Sequence, residues 1–301
     1  MTHSPSDRPG RLAVGVVGAG RVGTVLGAAL TRAGHRVVAA SGVSRDSVRR
    51  AHAMLPGAPL LPADDVAGRA DLVLLAVPDH LLPGLVSGLA ETGALRTGQL
   101  VTHVSGAYGY GVLEPAVQAG VLPLALHPVL AFTGRGEEDL ARLAGVTFGV
   151  TAPEVLRPVA EALVVEMGGE PVWIDERMRP LYHAALAVGA HHLVTLVNES
   201  AELLGRAGVT DPARMLGPLL DAALDAALRH GDRALDGPVS RGDATTVAKH
   251  LRALGEHAPD GVAAYVAIAR RTADRALAAG RLDAVEAEAL LDVLSARQAR
   301  T

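Results

Sequence analysis

Gly18, Gly20 and Gly23 stand in the order G-x-G-x-x-G, a spacing that suits phosphate binding. Gly18 permits a sharp turn, Gly20 offers no side chain to obstruct a pyrophosphate, and Gly23 lets a helix pack close to a strand. The segment Gly18, Ala19, Gly20, Arg21, Val22 and Gly23 then opens a helix whose free N–H groups and dipole favour anionic phosphates. Beyond it, where an NAD enzyme usually carries Asp or Glu for the ribose 2′-hydroxyl, the chain has Ser41, Ser44 and Arg45. Hydroxyls and a guanidinium suit a 2′-phosphate, because arginine forms charge-assisted, bidentate bonds to phosphate oxygens. The expected cofactor is NADP(H) rather than NAD(H). The competing reading makes Arg45 the solvated first charge of the next helix.

These residues need a frame. An apolar run over 12–17 precedes the glycines and a helix-like run follows to Gly34. Further strands are expected at 35–41, 71–77, 99–104, 121–126, 146–151 and 171–174, and helices at 46–55, 62–70, 81–90 and 153–167. Alternation of this kind predicts α/β architecture, with a doubly wound parallel sheet in a dinucleotide-binding domain over 11–174. From residue 175 the strand pattern stops, and helices are expected at 179–204, 212–230, 243–255, 262–279 and 282–297. A C-terminal all-helical domain over 175–301 is the consequence.

Open α/β sheets bind ligands at the carboxyl edge, so the backbone at Val77 and Pro78 is a candidate nicotinamide-side wall. Asp79 and His80 read equally as the cap and first turn of a helix. The glycine-rich loop 103–109 leaves the sheet at the same edge. In the helical half, His191, Thr195, Asn198 and Glu202 follow at steps of four, three and four and so share one face. That polar stripe serves either a structural network or substrate contact. In the segment 237–245, Arg241 is placed to pair with a substrate carboxylate or to form a salt bridge, and Asp243 to cap a helix.

Composition narrows the classes. The chain has 301 residues, is 49% hydrophobic and 20% charged, and carries a formal net charge of −4, which gives no basic footprint for nucleic acid. There are no cysteines and no H-E-x-x-H pattern, so neither a disulfide framework nor a metal site is expected. Residues 1–10 are polar and proline-bearing and read as a disordered tail without the apolar core of a signal peptide. Apolar runs are interrupted before the ~18 residues that a membrane span needs. A cytoplasmic location is expected.

The sequence segments GAGRVG, LLAVPD, HVSGAYG, HPVLAF, YHAALAVGAHHLVTL and GPVSRGDATTV, in this order, resemble a two-domain family. Its members join a Rossmann-like domain to a C-terminal domain of unknown function, and it includes PanG-type ketopantoate reductases. The chain is more distantly similar to prephenate dehydrogenases and pyrroline-5-carboxylate reductases. The resemblance implies an NADP(H)-dependent reductase of a small 2-oxo acid, with ketopantoate (2-dehydropantoate) as leading substrate and a homodimer through the helical domain. It also leaves two other readings: an imine reductase of the pyrroline-5-carboxylate type, and a non-catalytic NADP(H)-binding sensor or scaffold.

Prephenate dehydrogenases follow a sheet-edge serine by a His-Pro pair, and Ser105 with His127-Pro128 matches that layout. A reduced carbonyl becomes an alkoxide that needs a proton, and an imidazole with an unperturbed pKa near 6.5 suits that task. Ser105 is placed to hydrogen-bond the carbonyl oxygen or the substrate carboxylate. The alternative makes His127 a core histidine bonded to backbone. Family members commonly have Asn where this chain has His191. Lys249, the chain's single lysine, resembles the helical-domain lysine acid of the better-known ketopantoate reductases, or is a surface residue. Tyr182 and His183 are pocket residues or packing.

Overall fold

The computed structural model describes residues 10–295, so most of the tail expected at 1–10 lies outside the described residues. The chain divides into two compact units, one ending at Ala187 and the other starting at Val188.

The first unit is a seven-stranded sheet in the order β2-β1-β3-β4-β5-β6-β7. Its strands are β1 (Ala13–Val17), β2 (Arg36–Ser41), β3 (Leu72–Leu75), β4 (Leu100–His103), β5 (Leu122–Pro128), β6 (Thr147–Thr151) and β7 (Glu170–Trp173). Between them run α1 (Arg21–Arg32), α2 (Arg45–Met54), α3 (Ala63–Arg69), α4 (Leu82–Glu91), α5 (Glu114–Val117), α6 (Glu137–Arg142) and α7 (Arg157–Glu166), and α8 (Arg179–Ala187) follows β7. Period-two alternation sends the strand side chains to two separate cores. Val14, Val16, Leu72, Leu74, Leu124 and Leu126 pack with residues of α1 and α7, whereas Val17, Val73, Leu75 and Val101 pack with α3 and α4. Helices therefore cover both faces. β1 lies between β2 and β3, so the chain leaves its carboxyl end toward opposite sides of the sheet; this is the switch point where such sheets open a ligand crevice.

The expected all-parallel sheet needs one correction: β6 runs antiparallel to β5, and β7 then pairs parallel with β6. After β5 the Val129 N–H donates to the Thr147 carbonyl at 2.9 Å, which joins the end of β5 to the start of β6. The buried Asp139 carboxylate accepts from Thr133 N–H at 3.1 Å, the Thr133 hydroxyl at 2.8 Å and Gly134 N–H at 2.8 Å. The six-residue α6 adds only about 9 Å of length, so the chain re-enters beside β5 in the reverse direction.

The second unit is helical: α9 (Leu193–Arg206), α10 (Pro212–His230), α11 (Ala244–His257), α12 (Val262–Ala278) and α13 (Ala284–Ser295). Its core joins Val247 and Leu251 of α11 to Val266, Ala269 and Ala273 of α12 and Leu290 and Leu294 of α13. The single helix expected over 179–204 is interrupted. Residues Val188–His192 form a π-helical turn between α8 and α9, at a glycine-containing segment where an inserted residue widens the spiral. No helix among the described residues is long and apolar enough to cross a membrane.

Candidate active site

The glycine turn has the expected geometry. Gly18 has φ +97°, and a Cβ there would stand 2.5 Å from the Ala76 carbonyl oxygen. β3 stops at Leu75, short of the expected residue 77, leaving Val77 and the exposed Pro78 as a wall beside the turn. Gly23 sits on the Gly18 carbonyl, too close for any side chain, whereas a Cβ at Gly20 meets nothing within 4 Å. The helix packs tightly on its inner side and is open on its outer side.

The backbone N–H groups of Gly18 and Ala19 both donate to the Ser41 carbonyl, at 3.1 and 2.7 Å, tying the turn to the end of β2. Those of Arg21, Val22 and Gly23 donate to no protein group among the described residues, and the first turn of α1 carries no acidic residue and no capping side chain. An anion fits there. Ser44 caps α2 instead, accepting from Ser47 N–H at 3.0 Å, while Arg45 opens that helix exposed and without an ion pair among the described residues.

Further along the carboxyl edge, β4 ends in a buried histidine. His103 Nδ1 accepts from Ser105 N–H at 3.2 Å and its Nε2–H donates to the Gly109 carbonyl at 2.8 Å, so the ring fixes the loop that follows β4. Burial lowers its pKa to about 4, against the opposing effect of the Gly109 bond and with Arg179 lowering it further. Ser105 is buried as well, and its Oγ accepts from Ala107 and Tyr108 N–H at 3.2 and 3.3 Å. The serine shapes the turn and keeps its hydroxyl hydrogen to donate. Sequence reading singled out Ser105 and passed over His103, whose place as the last residue of a buried strand was the available signal.

His127 stands at the end of β5, in register with Gly149 of β6. Its Nδ1 lies 2.8 Å from the Tyr182 hydroxyl, and its ring meets His183 edge-on at 6.4 Å between centroids. A Cβ on Gly106 would stand 3.0 Å from His127 Nε2, so the Ser105 loop and His127 form one wall. Burial, then Arg179 and His183, lower the His127 pKa to about 4, with Asp79 opposing. This corrects the expected imidazole of ordinary pKa: in the free protein at neutral pH, His127 is uncharged.

Arg179, in the first turn of α8, was not foreseen. It is 0% exposed, and its Nε donates to Thr151 Oγ1 at 2.7 Å while Nη2 donates to the Gly149 and Ala125 carbonyls at 2.9 and 3.2 Å. Its Nη1 is buried without a partner, and its guanidinium carbon lies 5.6 Å from the centre of the Tyr182 ring. A charged residue directly before proline at the head of an apolar helix was the sequence signal for it.

The other predicted residues lie in the second unit. His191 falls in the π-helical turn and Asn198 on α9, and both are exposed, as are Lys249 and Arg241. Arg241 pairs with Asp236 at 3.3 Å, both exposed, and Asp243 caps α11 by accepting from Thr246 N–H at 2.9 Å. The 237–242 loop packs against α13, where a Cβ on Gly242 would stand 2.6 Å from the Glu286 Cβ. This unit also holds a cavity of about 480 Å³ lined by Leu196, Glu199, Leu203, Ala258, Tyr265 and Ile268. No group of three or more metal-ligating side chains occurs among the described residues.

In overall fold the chain is similar to a Bacteroides fragilis protein described as a candidate NADP oxidoreductase, at 22% identity and TM-score 0.74 over 88% of this chain and 98% of that one. It is also similar to a pyrroline-5-carboxylate reductase from Coxiella burnetii, at 16% identity and TM-score 0.54 over 96% and 98% of the two chains. A third likeness is to prephenate dehydrogenase from Aquifex aeolicus, at 17% identity and TM-score 0.50 over 63% and 71%. At these identities the likeness is one of fold. No curated protein matches the chain. A model of the Rossmann-like domain matches residues 1–128, and one described as a domain of unknown function, DUF2520, matches residues 146–272. The candidate site draws His103, Ser105 and His127 from the first match and Arg179, Tyr182 and His183 from the second, and the chain belongs to the proteins that join a Rossmann-like domain to a DUF2520 domain.

Proposed function

We propose that this protein is an NADP(H)-dependent oxidoreductase that reduces the carbonyl of a small 2-oxo acid, with ketopantoate as leading substrate. The observation that carries the reading is the α1 N-terminus: three unpartnered N–H groups, no acidic residue, and open space over Gly20 at the switch point of the sheet. Arg21, Val22 and Gly23 would hold the pyrophosphate through their backbone, and Ser41 and Arg45 the 2′-phosphate. Bound there, the nicotinamide supplies hydride. Within the first unit, His127 and Ser105 stand along the same carboxyl edge and would supply hydrogen-bond donors for the developing alkoxide, with the Tyr182 hydroxyl against His127 Nδ1. The structural likeness to oxidoreductases supports the reaction class, and the family resemblance supports the substrate.

The test is NADPH oxidation by purified protein with ketopantoate, pyrroline-5-carboxylate and other 2-oxo acids, beside calorimetric binding of NADPH and NADH. Saturable turnover of ketopantoate is the expected result. Turnover of the imine alone makes it an imine reductase, tight NADPH binding without turnover favours a sensor, and absence of nucleotide binding overturns the reading.

We also propose a homodimer through the second unit. α10 has 19 residues and buries only Leu216, and α9 buries none, leaving Met215, Leu219, Leu224, Leu228, Leu193 and Val194 exposed. Apolar faces of this extent mark an interface. Light scattering is expected to give twice the chain mass, and Leu219→Glu with Leu224→Glu to give a monomer; a wild-type monomer refutes the proposal.

A further inference from the structure

His127 can donate a proton from Nε2 only if something makes good the loss. As an uncharged ring it has one N–H hydrogen, and giving it up would leave an imidazolate. The surroundings equally disfavour the other protonation extreme, an imidazolium that forms first. Arg179 and His183 of α8 and His103 of β4 crowd the ring with positive or potentially positive groups, Asp79 in the turn before α4 is the acidic residue that opposes them, and the ring is largely buried. Both nitrogens must therefore change together.

Geometry provides for this. Nδ1 faces the Tyr182 hydroxyl at 2.8 Å, while Nε2 has no hydrogen-bond partner among the described residues and is not sealed from solvent. Behind Tyr182 lies the buried Arg179 guanidinium with one free Nη, 5.6 Å from the ring centre. We infer that Tyr182 and His127 form a proton relay backed by Arg179. In the reduction proposed above, on which this inference rests, His127 Nε2 gives its hydrogen to the carbonyl oxygen while Nδ1 takes the hydrogen of the Tyr182 hydroxyl. The charge left behind is a tyrosinate facing Arg179, and His127 remains neutral in its other tautomer. One hydride and one proton reach the substrate; afterwards Nε2 takes one proton from solvent while Nδ1 returns its hydrogen to the Tyr182 oxygen, which restores the starting tautomer and the neutral tyrosine. Tyr182 acts through His127 and is a relay and positioning residue, while His127 is the group that touches substrate.

The relay requires that the free protein hold its hydrogen on Nε2, with a bare Nδ1 accepting from Tyr182. Nitrogen-15 shifts of the His127 ring, assigned by loss of the signal in His127→Gln, read this without substrate or cofactor. The expected result is the Nε2–H tautomer in the wild type and a mixture of tautomers in Tyr182→Phe, whose melting temperature and circular dichroism control for folding. An Nδ1–H tautomer in the wild type, or an unchanged ring in Tyr182→Phe, overturns the relay whether or not a substrate is known. Where turnover is measured, Tyr182→Phe is expected to lower kcat about 100-fold with KM and NADPH affinity unchanged. The solvent proton inventory should change from curved to linear. Undiminished kcat in that variant overturns the relay while leaving the reductase reading intact.

Discussion

His127 and Gly149 stand opposite one another in the antiparallel pair of β5 and β6, and the missing side chain at Gly149 is where the Tyr182 hydroxyl rests. The reversed strand is thus what allows a tyrosine from α8 to reach Nδ1 of a histidine on β5.

Gly149→Ala is expected to displace that hydroxyl. Overpacking of this kind costs about 1–3 kcal/mol. The Gly149 carbonyl also accepts from Arg179, so the strain spreads to a buried charge. Chemical denaturation should show the loss, and the His127 ring resonances should shift with it.

Stability should fall on acidification below neutrality. His103 and His127 have folded pKa values near 4 against about 6.5 for free histidine, so between those values the unfolded chain binds more protons than the folded one. Stability is complete above pH 6.5, declines as pH falls through the window, and levels off below about 4. For the fully buried His103 the full effect is on the order of 3 kcal/mol. Urea unfolding at a series of pH values checks this, and His103→Gln should flatten the slope.

Two glycines of the fingerprint should separate folding from binding. Gly23→Ala drives a methyl into the Gly18 carbonyl and is expected to lower stability by about 1–3 kcal/mol. Gly20→Ala meets no protein atom within 4 Å, so its melting curve should match the wild type while NADPH affinity falls by about tenfold or more. Calorimetry beside thermal melts distinguishes the two.

Arg45→Ala should weaken NADPH about tenfold and leave NADH unchanged, since a charge-assisted bond to the 2′-phosphate is all it removes. The exposed side chain has no ion pair among the described residues to lose, so stability should hold. Equal weakening of both nucleotides would move the 2′-phosphate site elsewhere.

The glycine turn was legible in the sequence because its chemistry is local: each glycine answers to contacts within one strand–turn–helix unit. The helix expected at 212–230 was found at Pro212–His230 for the same reason, with proline at its start and glycine just past its end. Strand direction is different. The pattern of β6 reads alike in either orientation, and only its register with β5, Ala125 opposite Thr151 and Pro128 opposite Phe148, reveals the reversal. Arg179 was hidden because its partners, Ala125, Gly149 and Thr151, come from two distant strands. The polar stripe at His191 and Asn198 kept its helical spacing on paper, yet the π-helical turn begins before it and the residues face solvent.

The segment matching DUF2520 begins at residue 146, so β6 and β7 belong by sequence to the second domain and by hydrogen bonding to the first. Inheritance and folding therefore cut this chain in different places. A gene fusion or truncation made at the sequence boundary would strip β5 of its neighbour, expose a bare strand edge to self-association, and carry off Arg179 and Tyr182.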